Sequence, residues 1–82
     1  MYKRNLSKNL LKIEDKYVIT DGYQVFEVNE VGARIFDLCN GKNSTEQISE
    51  KLSKFYSIPY EHILEDVKEY EILLLNQQII FG

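Results

Sequence analysis

The sequence predicts an α+β fold: a three-stranded antiparallel β-sheet followed by a three-helix bundle of winged helix-turn-helix type. Three observations predict it. Short β-branched and aromatic runs, punctuated by turn residues, fill the first third of the chain. Three helical patterns with marked ends fill the rest. The two kinds of segment are segregated, β-β-β-α-α-α, which argues for α+β rather than alternating α/β. The 82 residues show no repeat, linker or low-complexity stretch, so 1–82 reads as one domain. Residues 1–8 are polar and basic and read as a flexible arm.

Leu10, Leu11 and Ile13 begin the first strand-like run, which ends at Glu14-Asp15-Lys16. Tyr17 to Thr20, YVIT, is the second. Asp21-Gly22 is a turn signal, because Gly tolerates positive φ and Asp tolerates turn geometry. Tyr23 to Val28, YQVFEV, is the third, with Phe26 and Val28 on the core face and Val25 and Glu27 on the other.

Asn29 then reads as an N-cap, with Glu30 favourably placed in the helix dipole. Val31, Ile35 and Leu38, widened by Ala33 and Phe36, make one apolar stripe, and Gly41 is placed to stop the helix. Ser44 and Gln47 resemble a capping box, ahead of an apolar face of Ile48, Leu52, Phe55 and Tyr56. Pro59 suits the first position of the third helix. That helix carries Ile63, Val67, Tyr70 and Leu74 on one stripe and ends at Gln77-Gln78. Ile79-Ile80-Phe81 would follow as a short tail strand or a plug on the core.

The formal net charge is −3 and the sequence pI about 5.1, which argues against a nucleic-acid or anionic-membrane partner, since both need a basic face. Residues 1–21 carry five basic and three acidic groups. The third helix instead carries Glu61, Glu65, Asp66, Glu69 and Glu71 against Lys68. A winged-helix DNA-binding regulator, the alternative function for this architecture, would present that helix to phosphates and be repelled.

The one cysteine, Cys39, and the one histidine, His62, cannot make a disulfide or a zinc site. Cys39 has no basic neighbour in sequence and reads as a small buried hydrophobe, and His62–Asp66 as a surface i, i+4 pair. No catalytic residue, metal or cofactor is expected. No apolar run approaches a membrane span, and no signal core follows Lys3 and Arg4, so a reducing cytoplasmic setting is expected. One functional feature remains. The last strand would leave an open edge able to accept an extended peptide, beside the third helix.

From residue 25 onward the chain resembles the PqqD-like family, the small leader-peptide recognition domains (RiPP recognition elements) of ribosomal peptide biosynthesis. The resemblance is carried by Val28-Asn29, Gly32-Ala33-Arg34-Ile35-Phe36, Gly41-Lys42-Asn43-Ser44-Thr45, Ile48/Leu52/Tyr56 and Asp66-Val67. The NEVGARIF segment is similar to the free-standing version of lasso-peptide pathways. The resemblance implies a leader peptide added as a strand on the third strand, in a groove against the third helix. The peptide-binding residues it implies are Tyr23, Gln24, Val25, Phe26, Glu27 and Val28 on the strand, and Asp66, Val67, Tyr70, Glu71 and Leu74 on the helix. The acidic helix would suit Lys or Arg in the leader. The implied partners are a precursor peptide and a maturation enzyme: a leader peptidase, a cyclase or a radical SAM enzyme. The open edge would also admit a second copy, as an edge-to-edge homodimer. One departure stands out: Asn76-Gln77-Gln78 replaces the glycine that usually closes the last helix.

Overall fold

In chain order the elements are β1 (Lys3–Arg4), β2 (Asn9–Ile13), β3 (Lys16–Thr20), β4 (Val25–Val28), α1 (Glu30–Leu38), α2 (Thr45–Tyr56), α3 (Tyr60–Asn76) and β5 (Ile80–Phe81). They come from a computed structural model that describes residues 1–82. β2, β3 and β4 are the three predicted strands, paired in that order as an antiparallel meander. A two-residue turn joins β2 to β3, with Glu14 at φ 56, the positive φ that so tight a hairpin demands. Cross-strand rows Leu10–Ile19–Phe26 and Lys12–Tyr17–Val28 share one face of the sheet. Ile19 and Val28 are buried on it, so the predicted inward pair Phe26 and Val28 is on the core side.

Helix ends follow their capping chemistry. Asn29 Oδ1 accepts the Gly32 N–H at 2.9 Å and starts α1. Ser44 and Gln47 form the reciprocal capping box of α2, with bonds of 3.1 and 2.8 Å. Pro59 occupies the cap of α3, one residue earlier in the helix frame than predicted. α1 ends at Leu38 with Cys39 as its cap. Gly41 lies beyond it at φ 80, and its N–H donates to Tyr2 O at 2.9 Å. The glycine therefore anchors the N-terminus rather than stopping the helix.

The core is one cluster of buried aliphatic residues drawn from all three helices, the sheet and the tail. The α1 stripe is rotated from the predicted one. Ala33, Ile35 and Phe36 are buried, while Val31 and Leu38 flank them half-buried. Phe55 is a correction, since it is 59% exposed, with the Arg34 guanidinium 3.9 Å over its ring.

The flexible arm expected over residues 1–8 is also corrected in part. Lys3 and Arg4 pair antiparallel with Phe81 and Ile80 in a second, two-stranded sheet. Asn5 N–H donates to Ile79 O at 2.8 Å, and Arg4 donates to the carbonyl of Asp37. The tail is thus both strand and plug, with Ile79 and Ile80 buried against the core.

Candidate peptide-binding site

β4 is hydrogen-bonded to β3 on one side and to nothing on the other. Its outer edge is shorter than the predicted run. Asp21 Oδ1 accepts the backbone N–H groups of both Tyr23 and Gln24 at 2.9 Å, and the Thr20 hydroxyl donates to Gln24 O at 2.6 Å. Lys8 pairs with the same aspartate at 3.1 Å, and these bonds hold its carboxyl well below the usual carboxylate range. Tyr23 and Gln24 are consequently turn residues with their donors already engaged. The free edge is Val25, Phe26, Glu27 and Val28. Val25 is 68% exposed, whereas Val28 is buried.

The helix side divides. Val67 and Leu74 are fully buried, and Glu71 is only 3% exposed. These three belong to the interior and not to a groove. Asp66 and Tyr70 do face outward together, lining a cleft of about 200 Å3 with Glu69, Asn29 and Val31. The cleft thus opens on the shoulder of the predicted stripe, one residue back from it. A one-residue step turns a helix by about 100°, so the 67/71/74 face packs inward, while Asp66, Glu69 and Tyr70 open onto the cleft beside the start of α1. Leu73 extends the wall one turn past Tyr70 and is 49% exposed.

Gly32 joins helix and strand at this point. A methyl group built on it would stand 2.6 Å from Tyr70 Cε1 and 3.0 Å from Tyr70 Cζ and Val28 Cβ. The ring of Tyr70 stands against Gly32 of α1, with Val28 beside the same point, and Tyr70 also lines the cleft. Asn29, Val31, Gly32, Glu69 and Leu73 were not singled out as site residues from the sequence. Only Gly32 had a signal there: a glycine inside a capped helix costs stability unless something packs on it.

Glu71 sits behind this wall. Both its oxygens accept the Thr45 hydroxyl, at 2.9 and 3.0 Å, in the first turn of α2. Burial pushes its carboxyl pKa up, with the hydrogen bond opposing the shift. Burial also pushes the Cys39 thiol up to about 12, which removes it as a nucleophile at neutral pH. No group of three or more His, Cys, Asp or Glu side chains is placed to hold a metal ion.

The family model described as Coenzyme PQQ synthesis protein D (PqqD) matches residues 16–80. The chain belongs to the PqqD family. The matched span runs from β3 to the start of β5 and leaves out β1 and β2, the divergent N-terminal part. A PqqA binding protein of Bradyrhizobium diazoefficiens is 35% identical to this PqqD-family chain over 51 residues, 62% of the chain. The match spans 50% of that relative's own length. Two solved structures share the fold. TbiB1 in complex with the TbiA(beta) leader peptide has a TM-score of 0.79 at 22% identity, over 98% of this chain and 95% of that one. Lasso peptide synthetase B1 complexed with the leader peptide has a TM-score of 0.80 at 13% identity, over 99% and 98%.

Proposed function

We propose that this PqqD-family chain recognises the leader segment of a ribosomally made precursor peptide. The leader adds as an extra strand on β4 and lies against the 66/69/70/73 shoulder of α3. The observation that carries this reading is the unpaired edge of Val25–Val28 beside the Asp66–Tyr70 cleft. The names of the similar proteins support it, since one binds PqqA and two are complexed with leader peptides.

Magnitudes say where specificity must lie. In an antiparallel pair alternate residues point their backbone groups outward, so a four-residue edge offers about four hydrogen bonds. At about 1 kcal/mol net each they supply roughly 4 kcal/mol, before the cost of ordering the peptide. A micromolar complex needs about 8 kcal/mol. The remainder must come from side chains in the cleft and along Leu73. Glu65, Asp66 and Glu69 form no ion pair within the chain, which favours a leader carrying Lys or Arg there. The same acidic surface opposes a duplex-DNA role.

The protein acts as a binding partner that delivers the leader to a maturation enzyme (leader peptidase, cyclase or radical SAM enzyme), in a lasso-type or related pathway and in a reducing cytoplasm. Without a leader, the exposed edge can pair with a second copy.

The test is a titration of 15N-labelled protein with the leader half of the precursor encoded nearest to its gene. Amide shifts are expected to be largest at Val25–Asn29 and Asp66–Leu73. Shifts confined to another face, or no leader binding alongside retention of duplex DNA at physiological salt, would overturn the reading.

A further inference from the structure

We infer that Gly32 is the positioning residue that keeps the leader cleft open, by seating the ring of Tyr70. This rests on the strand-addition reading and extends it to a residue on α1, outside both walls of the groove.

Gly32 is the third residue of α1 and has no positive φ, so its backbone conformation does not require glycine. Alanine there would favour the helix by propensity alone. Its N–H already donates to the Asn29 cap, and alanine would leave that bond in place. What excludes a side chain is the Tyr70 ring, 2.6 Å from where a Cβ would stand. The glycine therefore serves close approach between α1 and α3.

That approach has a consequence at the cleft. Tyr70 is half-buried, with its Cε1 and Cζ against Gly32, and it lines the hollow with Asn29, Val31, Asp66 and Glu69. A Cβ on residue 32 would have to push the ring away from α1. Val28 closes one direction, itself 3.0 Å from the same point. The cleft is the adjacent open space, and it holds only about 200 Å3. Gly32→Ala thus pushes Tyr70 into the volume that a leader side chain would fill. Gly32 never touches the peptide, but it sets the depth of its anchor pocket.

The experiment labels tyrosines with 3-fluorotyrosine, assigns the Tyr70 signal with Tyr70→Leu, and measures leader affinity by calorimetry. In the wild type the Tyr70 fluorine signal shifts on leader addition. In Gly32→Ala the signal is expected to be displaced before any leader is added, and affinity to fall at least about tenfold. In the Tyr70→Leu background the same substitution should change affinity by less than about threefold, because the group it collides with is gone. If Gly32→Ala alone fails to fold, the double variant Gly32→Ala/Tyr70→Leu is expected to fold and bind as Tyr70→Leu does. An unmoved Tyr70 signal, equal losses in both backgrounds, or a double variant worse than Tyr70→Leu would overturn the role of Gly32. A wild-type protein that binds no leader would instead overturn the strand-addition reading, and the fluorine shift in the free variant would still test the seating of the ring.

Discussion

Glu71 is a carboxylate kept from water with one hydroxyl as its hydrogen-bond donor, and burying a charge so sparsely is unfavourable. Its place in the α3 stripe, between Val67 and Leu74, leaves it no route to solvent. The first turn of α2, where Thr45 sits, offsets part of that cost through the helix dipole. An acid whose folded pKa lies above its unfolded value holds its proton more tightly when folded. Folding stability therefore declines as pH rises from about 4.5, the ordinary value, through the raised value, and is regained on acidification. Glu71→Gln keeps an oxygen for Thr45 and removes the charge. The variant is expected to melt above the wild type at neutral pH, with the gap closing as pH falls below about 4.5. Thermal melts of both proteins across that range check this, and parallel curves would contradict it. Leader affinity should be unaffected on the strand-addition reading, because Glu71 is buried and does not line the cleft.

At the scale of elements, the C-terminus of α3 shows how a motif survives without its usual residue. Gln78 stands at φ 57, in the left-handed region where glycine is favoured. Its N–H donates to Leu75 O at 3.0 Å, and the next N–H, on Ile79, donates to Leu74 O at 2.9 Å. Those two bonds are the Schellman pattern. Asn5 Nδ2 adds a bond to Gln78 O at 2.9 Å, so the N-terminal segment helps to hold the turn. The missing glycine changes the cost of the turn and not its shape. Gln78→Gly is expected to stabilise the protein by about 0.5–1 kcal/mol by relieving the left-handed strain, read as a shift in the urea midpoint with an unchanged slope. Destabilisation would show that the Gln side chain contributes more than the strain costs.

The helices were legible because capping is local chemistry. Asn29, Ser44 and Gln47 announce their turns within four residues. Strand positions were legible for the same reason. Alternation places Tyr23 and Gln24 in the strand, and the carboxylate of Asp21, which captures their N–H groups, acts through geometry that alternation does not encode. Periodicity puts Val67, Glu71 and Leu74 on one stripe but does not say that the stripe is buried rather than open to a peptide, since that depends on how all three helices pack. The β1–β5 pairing joins residues almost a chain length apart, and nothing local marks it.

The whole molecule has two sheets with different tasks. β1–β5 ties the two ends of the chain over the core, while β4 leaves its edge free on the other sheet. A chain of this size carries only about 5–10 kcal/mol of stability, so occupancy of the free edge should register in the melting of the whole. A leader at about 100 times its Kd adds about 2.7 kcal/mol. With roughly 4–8 °C per kcal/mol for a domain this small, Tm should rise by about 10–20 °C. Ile80 is fully buried and pairs with Arg4 of β1, in a different sheet from β4. Ile80→Ala should cost about 2–5 kcal/mol through the cavity it leaves, enough to make the free protein partly unfolded near physiological temperature. Because that cavity lies outside the groove, the variant should keep its intrinsic affinity for the leader and be refolded by it. Circular dichroism melts of both proteins with and without leader measure this. If saturating leader fails to raise either Tm, the peptide does not bind the folded state preferentially. If it rescues the wild type alone, the β1–β5 clasp shapes the groove as well as the core.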